Sequence, residues 1–177
     1  MKITVSGKAG SGKSTIAKEL ARILSYKHYS MGDLQRELAK ERGLTIEEWN
    51  IEQAKDSTTD NMIDDKMTEI GKTQDDFVID AWLGANFVPD AIKIWLDVDI
   101  DEAIKRRLSH KREEESFEDP EEVKRSILNR AKVNQERWIR YYDFDYLDMD
   151  NYDIIVDTTN LNPEEIIKEI LEKIKEK

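Results

Sequence analysis

Residues 7–14 carry the pattern that most restricts what this chain can fold into. They read Gly-Lys-Ala-Gly-Ser-Gly-Lys-Ser and satisfy G-x-x-x-x-G-K-[ST] at every fixed position. The β-branched run at residues 3–5 predicts a strand before the motif, and apolar residues at helical spacing between Ile16 and Leu24 predict a helix after it. A strand, a glycine turn and a helix N-terminus together form a cradle for phosphate, because backbone N–H groups and the helix dipole converge there.

The residues of this loop have expected roles toward a bound nucleotide. Lys13 would reach the β- and γ-phosphates, and the Ser14 hydroxyl would hold Mg²⁺. The loop residues predicted to bind ATP are Gly7, Lys8, Ala9, Gly10, Ser11, Gly12, Lys13, Ser14 and Thr15. A glycine-rich turn that matches the pattern by chance is disfavoured, because the expected strand and helix flank it on both sides.

The composition indicates an acidic protein with a local cluster of cations. The formal net charge is −11, which argues against a nucleic-acid backbone as partner. Seven of the ten arginines nevertheless lie between Arg106 and Arg140, which is compatible with a nucleotide ligand. The chain has no cysteine, and no apolar run approaches the ~20 residues of a membrane span. We therefore expect a cytoplasmic, monomeric enzyme without a membrane partner.

Predicted strands alternate with predicted helices along the chain. The strands are expected at residues 3–5, 26–30, 77–80, 91–98 and 152–157. This alternation predicts an α/β fold of three layers, in which a parallel five-stranded sheet carries helices on both faces. Ligands should gather at the carboxyl ends of the strands. The length suggests one domain at residues 1–177, with a helical insert at about 31–72 and a short charged lid at about 107–125.

The segment from Ser30 to Arg36 gives the chain a resemblance to a known family. Its Gly32-Asp33 followed by Arg36 resembles the acceptor-binding segment of nucleoside monophosphate kinases, and within them of the archaeal-type cytidylate kinases. The resemblance implies a P-loop kinase fold, with Asp33 and Arg36 in the substrate-binding set and Arg36 on the monophosphate. A planar guanidinium suits this role because it binds phosphate oxygens in pairs. The alternative is a helix that begins with Asp33 as its cap and leaves Arg36 in solvent.

Asp80 and Trp82 follow the strand that is expected beside the first strand. The resemblance implies that Asp80 lies near Mg²⁺ in the acceptor site, so Ser14 and Asp80 are the predicted metal ligands. The alternative is that Asp80 is simply a polar residue where a strand meets solvent. The family typically has an acceptor-phosphate arginine two residues after this Asp, where this chain has Trp82. An indole cannot replace a guanidinium on phosphate. Trp82 either stacks on the acceptor base or packs in the core, and we expect a weak KM for CMP.

Arg130 and Arg137 are seven residues apart and therefore share one face of a predicted long helix. The surrounding residues resemble the lid-and-return helix of the same family. The resemblance implies that these two arginines contact the transferring phosphoryl group, and it assigns Arg107 to ATP. The alternative is a basic helix in solvent, paired with glutamates of the lid. Residues 111–120 are expected to close over ATP and exclude water.

The resemblance implies that the enzyme transfers the γ-phosphoryl group of ATP to CMP or dCMP with Mg²⁺. A phosphate acceptor already carries anionic oxygens, so no strong general base is needed. Two other functions stay open. A kinase of an alcohol such as shikimate would need Asp33 as a base. A non-catalytic nucleotide-binding module is favoured only by the tryptophan at position 82.

Overall fold

A parallel five-stranded sheet forms the central layer of the protein. The computed structural model describes residues 1–55, 58–109 and 119–176. Strands β1 to β5 are Lys2–Gly7, Lys27–Ser30, Phe77–Asp80, Ile92–Asp97 and Ile154–Asp157. Their spatial order is β2-β3-β1-β4-β5, and every neighbouring pair is parallel. The predicted sheet is confirmed, including the position of the strand that ends in Asp80 beside β1.

Helices cover the sheet on both faces. In chain order the described residues form α1 to α8, which are Lys13–Leu24, Met31–Glu41, Ile46–Lys55, Thr58–Thr73, Gly84–Phe87, Ile100–Ser109, Pro120–Tyr142 and Pro163–Lys175. None of these helices combines the length and the apolar character that crossing a bilayer requires.

Two hydrophobic clusters lie on opposite faces of the sheet. Side chains alternate along a strand, so Phe77 and Ile79 join one cluster while Val78 joins the other. The first cluster packs the sheet against α4, α5 and α7 and is rich in aromatic rings. The second packs it against α1 and α8, where Ile16 and Ile170 are fully buried. The three-layer arrangement is therefore the one that the sequence predicts.

Side-chain caps set the helix starts, and one of them differs from the prediction. A capping box begins α3, because Thr45 N–H donates to Glu48 at 2.8 Å and Glu48 N–H donates to the Thr45 hydroxyl at 3.2 Å. Helix α2 begins at Met31 and not after Asp33, the cap that the sequence analysis gives as an alternative. Its N-cap is Ser30, whose hydroxyl accepts the N–H of Asp33 at 3.2 Å, so Asp33 lies inside the first turn. The short helix α5 has no predicted counterpart.

Both predicted inserts can be located in the chain. Between β2 and β3 the range predicted for the helical insert, 31–72, holds α2, α3 and most of α4. Of the predicted lid, 107–125, residues 107–109 end α6 and residues 120–125 begin α7. Residues 110–118 lie outside the described part of the chain. The lid function stays a prediction.

The sheet has two edges, at β2 and at β5. Strand β2 contains only four residues. At β5 the side chain of Lys173, from α8, donates to the carbonyl of Ile155 at 2.8 Å. The same lysine is ion-paired with Glu169 one turn earlier at 2.7 Å. A charged side chain therefore covers a backbone acceptor on the strand at this edge.

Gly84 and Gly32 provide a matched test of how closely helices approach the sheet. A Cβ on Gly84 would lie 2.9 Å from the Cβ of Thr4, which is fully buried in β1, whereas a Cβ on Gly32 would meet nothing closer than the Arg36 guanidinium at 3.7 Å. Gly84→Ala should lower the free energy of unfolding by about 1–3 kcal/mol through overpacking. Gly32→Ala should leave it unchanged or raise it slightly, since alanine restricts the unfolded chain. Thermal denaturation of both variants decides, and equal Tm values would contradict the close contact.

Candidate active site

A cavity of about 810 Å³ lies where the segments that follow β1 and β3 meet. Parallel strands bring their carboxyl ends to one edge of the sheet, so loops from distant parts of the sequence converge there. Most of the predicted site residues line this cavity: Ala9, Gly10, Ser11, Gly12, Lys13, Ser14, Thr15, Arg36, Asp80, Trp82, Arg107, Arg130 and Arg137. Gly7, Lys8 and Asp33 lie outside its lining. The structure thus brings the predicted phosphate loop and the predicted acceptor residues to one space.

The phosphate loop, residues 7–14, needs glycine at two positions for its shape. Gly10 and Gly12 have φ angles of +83° and +86°, which residues with side chains rarely adopt. A Cβ on Gly10 would also lie 2.8 Å from the Cβ of Ala103 in α6. The loop therefore rests directly on α6. Gly12 is the N-cap of α1, so the free N–H groups of this helix begin at the cavity.

Gly7 and Lys8 connect the loop to the neighbouring strand. Gly7 is the last residue of β1 and is in register with Leu96 of β4. The N–H of Lys8 donates to the carbonyl of Leu96 at 3.1 Å. The ammonium of Lys8 is 2.6 Å from the carboxylate of Asp97. These two residues hold the start of the loop in place, and their binding of ATP stays a prediction.

Arg106 joins the phosphate loop to the segment that follows β5. Its guanidinium donates to the carbonyls of Gly10 at 3.4 Å, Thr158 at 2.6 Å and Thr159 at 3.3 Å, and to the Thr158 hydroxyl at 3.1 Å. Its Nε donates to Glu102 one turn earlier, at 3.0 Å. The sequence analysis names only the adjacent Arg107, which also lines the cavity. Two consecutive arginines on a helix carry no signal that tells a structural one from a ligand-binding one.

Lys13 and Arg130 both lie over the indole ring of Trp82. The Lys13 ammonium is 5.5 Å from the ring centroid and the Arg130 guanidinium is 4.9 Å from it. Lys13 also donates to the carbonyl of Lys8 at 2.9 Å. Contacts of this kind contribute about 0.5–2 kcal/mol, depending on how far the cation is desolvated. Trp82 therefore contacts two of the three cations that the sequence analysis assigns to phosphoryl transfer, Lys13 and Arg130.

Trp82 also packs against the aromatic cluster on its face of the sheet. Its ring stacks on Tyr146 with centroids 5.6 Å apart and meets Trp138 edge-to-face at 5.5 Å. Leu83 and Phe87 belong to the same cluster. The packing that the sequence analysis offered for Trp82 is thus observed, while part of the ring still lines the cavity. Stacking on an acceptor base stays a prediction.

Arg130 and Arg137 present the same face of α7 to the cavity, as their spacing predicts. Asn134 lies between them and lines it too. Arg137 is buried, and its guanidinium is 5.5 Å from the ring centroid of Trp138. A guanidinium keeps its charge at any physiological pH, so a buried one on a cavity wall favours an anionic ligand. The alternative of a basic helix in solvent does not fit Arg137.

Asp33 and Arg36 form an ion pair on the first turns of α2. Arg36 lines the cavity, whereas Asp33 does not line it and its side chain is mostly exposed. Partial burial raises the pKa of Asp33, but the hydrogen bond and the positive charge of Arg36 outweigh it, so the pKa lies below its ordinary value. Asp33 is therefore ionised at neutral pH and orients the guanidinium of Arg36.

Two oxygen donors on the cavity wall suit a hard divalent cation. Asp80 ends β3 opposite Val5 of β1, and it is buried. Ser14 lies in the first turn of α1. Both line the cavity. A carboxylate and a hydroxyl match the ligand preference of Mg²⁺, which fills its other positions with water and phosphate oxygens.

Several polar residues of the cavity wall are absent from the sequence analysis. They are Gln35 of α2, Asp64 of α4, Glu102 of α6 and Asn134 of α7. Gln35 occupies a variable position of the segment from Ser30 to Arg36, and the other three lie at helix positions that carry no motif. Only Asp64 has a signal in the sequence that could have identified it. Its carboxylate interrupts an apolar helix face that Ile63 and Met67 form.

Comparisons with known proteins agree with this geometry. The sequence profile of the cytidylate kinase-like family matches residues 2–160. A cytidylate kinase of Haloarcula marismortui is 36% identical over 98% of this chain and 89% of its own length. A cytidylate kinase of Pyrococcus abyssi is 35% identical over 99% of this chain and 96% of its own length. The fold is similar to that of a shikimate kinase from Aquifex aeolicus, with a TM-score of 0.63, 23% identity, and coverage of 99% of this chain and 96% of that one.

Arg106→Lys tests the connection between the phosphate loop and the segment after β5. Lysine keeps the charge but cannot serve the acceptors on Gly10, Thr158 and Thr159 together. Leaving buried carbonyls unsatisfied should lower the free energy of unfolding by about 1–3 kcal/mol. Arg107→Lys is the matched control on the same turn, and it should change the Tm much less. Equal effects of the two substitutions in thermal denaturation would show that the fork of Arg106 does not hold the loops.

Proposed function

The chain belongs to the cytidylate kinase-like family, and we propose that it transfers the γ-phosphoryl group of ATP to CMP or dCMP. One observation supports the proposal most strongly. The phosphate loop shares its cavity with Arg36, Arg130 and Arg137, which come from two helices on other sides of that space. A donor triphosphate on the loop and an acceptor monophosphate on Arg36 would then meet within reach of α7.

The donor is held by the N-terminus of α1. Its free backbone N–H groups and the helix dipole favour the phosphates of ATP. Lys13 lies on the first turn of the same helix and lines the cavity. Its bond to the carbonyl of Lys8 is replaced by phosphate oxygens when the nucleotide binds. Lys13 then neutralises charge on the transferring group.

The acceptor is a phosphate, and this removes the need for a general base. Its oxygens are already anionic at neutral pH, since the second pKa of a phosphate monoester is about 6. A general base works best when its pKa is near the working pH. The pKa of Asp33 is lowered instead, and Asp33 does not line the cavity. These features favour a phosphate acceptor over an alcohol such as shikimate.

Catalysis then consists of positioning and of stabilising negative charge. Arg130 and Arg137 lie on the α7 side of the cavity, where they would contact the phosphoryl group between donor and acceptor. Their contacts with the rings of Trp82 and Trp138 fix the guanidinium groups before the substrates arrive. Pre-organised cations of this kind stabilise the transition state without reorganisation cost at the moment of reaction.

Ser14 and Asp80 would hold Mg²⁺, Ser14 directly and Asp80 through water. A cation held there would supply positive charge that offsets the negative charge developing on the transferring phosphoryl group. Asp80 is buried where β3 ends, on the wall of the cavity that the phosphate loop also lines.

Lys13→Ala tests the phosphoryl-transfer assignment. Removal of the ammonium should lower kcat by a factor on the order of 10²–10³, because a charge-stabilising contact is lost in the transition state. Lys18→Ala, an exposed lysine of the same helix, is the control and should retain full activity. A coupled assay of ADP release with CMP, dCMP, UMP, AMP and shikimate identifies the acceptor at the same time. Turnover of shikimate alone, or wild-type turnover by Lys13→Ala, would refute the proposal.

Trp82→Arg tests the expected weakness of the acceptor-phosphate contact. The substitution adds a third cation beside Lys13 and Arg130, and this excess positive charge is relieved when the anionic acceptor binds. The KM for CMP should fall about tenfold, which corresponds to about 1.4 kcal/mol. Trp82→Leu removes the ring without adding charge, and its KM should not fall. The opposite result is a wild-type KM for CMP in the low micromolar range and a higher KM in Trp82→Arg. It would show that the indole itself supports acceptor binding.

A further inference from the structure

Asp64 is a carboxylate on the cavity wall that the phosphoryl-transfer chemistry does not use. It lies in α4 and is 8% exposed. It lines the same cavity as Arg36, which comes from α2. A charged side chain is seldom buried to this extent unless polar partners compensate for its lost hydration. Asp64 is therefore expected to serve a ligand or a structural bond, or both.

The structural bond of Asp64 is known. The hydroxyl of Tyr142, the last residue of α7, donates to its Oδ2 atom. This bond fixes the carboxylate between α4 and α7. An ionised carboxylate offers about four acceptor sites on its two oxygens, so it can accept this hydroxyl together with a donor from a ligand. An ionised carboxylate cannot donate a hydrogen bond, so placing it next to another acceptor is unfavourable.

The surroundings of Asp64 suit a flat heterocyclic ring. Ile63 and Met67 are buried neighbours on the same helix, and both line the cavity. Met31 and Gln35 of α2 line it as well. An acceptor whose phosphate is held by Arg36 would place its base among these apolar side chains. There Asp64 supplies carboxylate oxygens as acceptors and Gln35 supplies an amide.

We propose that Asp64 selects the base of the acceptor by accepting a hydrogen bond from the exocyclic amino group of cytosine. This inference rests on the proposed function and adds a specificity residue to it. Uracil differs from cytosine at this position, where it carries a carbonyl oxygen instead of an amino group. Its carbonyl would face a buried carboxylate, so two acceptors would oppose each other without a proton between them. A site that hydrogen-bonds one substrate group rejects an analogue that cannot match it.

The size of the effect follows from the kind of contact. A well-placed pair between a carboxylate and the cytosine amino group contributes about 1–3 kcal/mol of discrimination. This range corresponds to factors of about 5 to 150 in kcat/KM. We therefore expect wild-type kcat/KM for CMP to exceed that for UMP by more than tenfold. The preference should be the same for dCMP over dUMP, because the ribose is not involved.

Asp64→Asn and Asp64→Ala, in the full chain, test the proposal by steady-state kinetics at saturating ATP. Both variants should lower kcat/KM for CMP by about 10- to 100-fold. Asp64→Asn, whose amide can donate to the uracil carbonyl, should also raise kcat/KM for UMP. The KM for ATP should not change, whereas a general structural defect would change it as well. Asp65→Asn, at the exposed neighbour on the same helix, is the control and should keep the CMP-to-UMP ratio.

A second measurement needs no variant and stays decisive if the Asp64 variants do not fold. The 5′-monophosphate of 2-pyrimidinone riboside lacks only the amino group of CMP. The wild-type enzyme should use it at least tenfold less efficiently than CMP. Equal use of the two, or an unchanged CMP-to-UMP ratio in Asp64→Asn, would overturn the role of Asp64 while CMP turnover still supports the proposed function. A wild-type enzyme that phosphorylates no nucleoside monophosphate would overturn the function itself, and the role of Asp64 with it.

Discussion

The fork of hydrogen bonds from Arg106 is the interaction on which the geometry of the site depends. Residues 10, 106 and 158 are far apart in the sequence, and the guanidinium of Arg106 bonds to the other two segments. The adjacent contact of Gly10 with Ala103 brings the same helix against the phosphate loop. The loop therefore cannot shift without moving α6 or the segment after β5. A cradle that is fixed before phosphate arrives spends little binding energy on its own ordering.

The cavity is rich in positive charge although the molecule as a whole is negative. The chain as a whole carries a net charge of −11, yet the cavity is lined by Lys13, Arg36, Arg130 and Arg137. Aromatic rings make this concentration of like charges tolerable. The faces of Trp82 and Trp138 attract the cations, and the cluster behind them leaves little freedom for the rings to move. The cations of the site attract small anions that fit the cavity, although the molecule as a whole is acidic.

The sequence predicts the sheet and the phosphate loop well, because both depend on local patterns. β-Branched runs and the glycine spacing determine β1 and residues 7–14, and the parallel order follows from the alternation of elements. The shared face of Arg130 and Arg137 follows from helix geometry alone. The alternative that Asp33 caps α2 is wrong, since Ser30 is the cap. Both residue types are good caps, and only the path of the chain out of β2 decides between them. Asp64 and Arg106 were missed since their neighbours come from other helices and loops, so no local pattern marks them.

The bond between Lys173 and the Ile155 carbonyl has a consequence for how the protein behaves among copies of itself. An outer strand with open backbone groups is a template on which another chain can add a strand, which leads to swapped dimers and fibres. At β5 the ammonium would have to leave its acceptor before such pairing could start, and a foreign strand would then meet a positive charge. The lysine contributes little to the fold energy, since it is exposed. Its contribution is kinetic protection against misassembly, which matters most at high protein concentration.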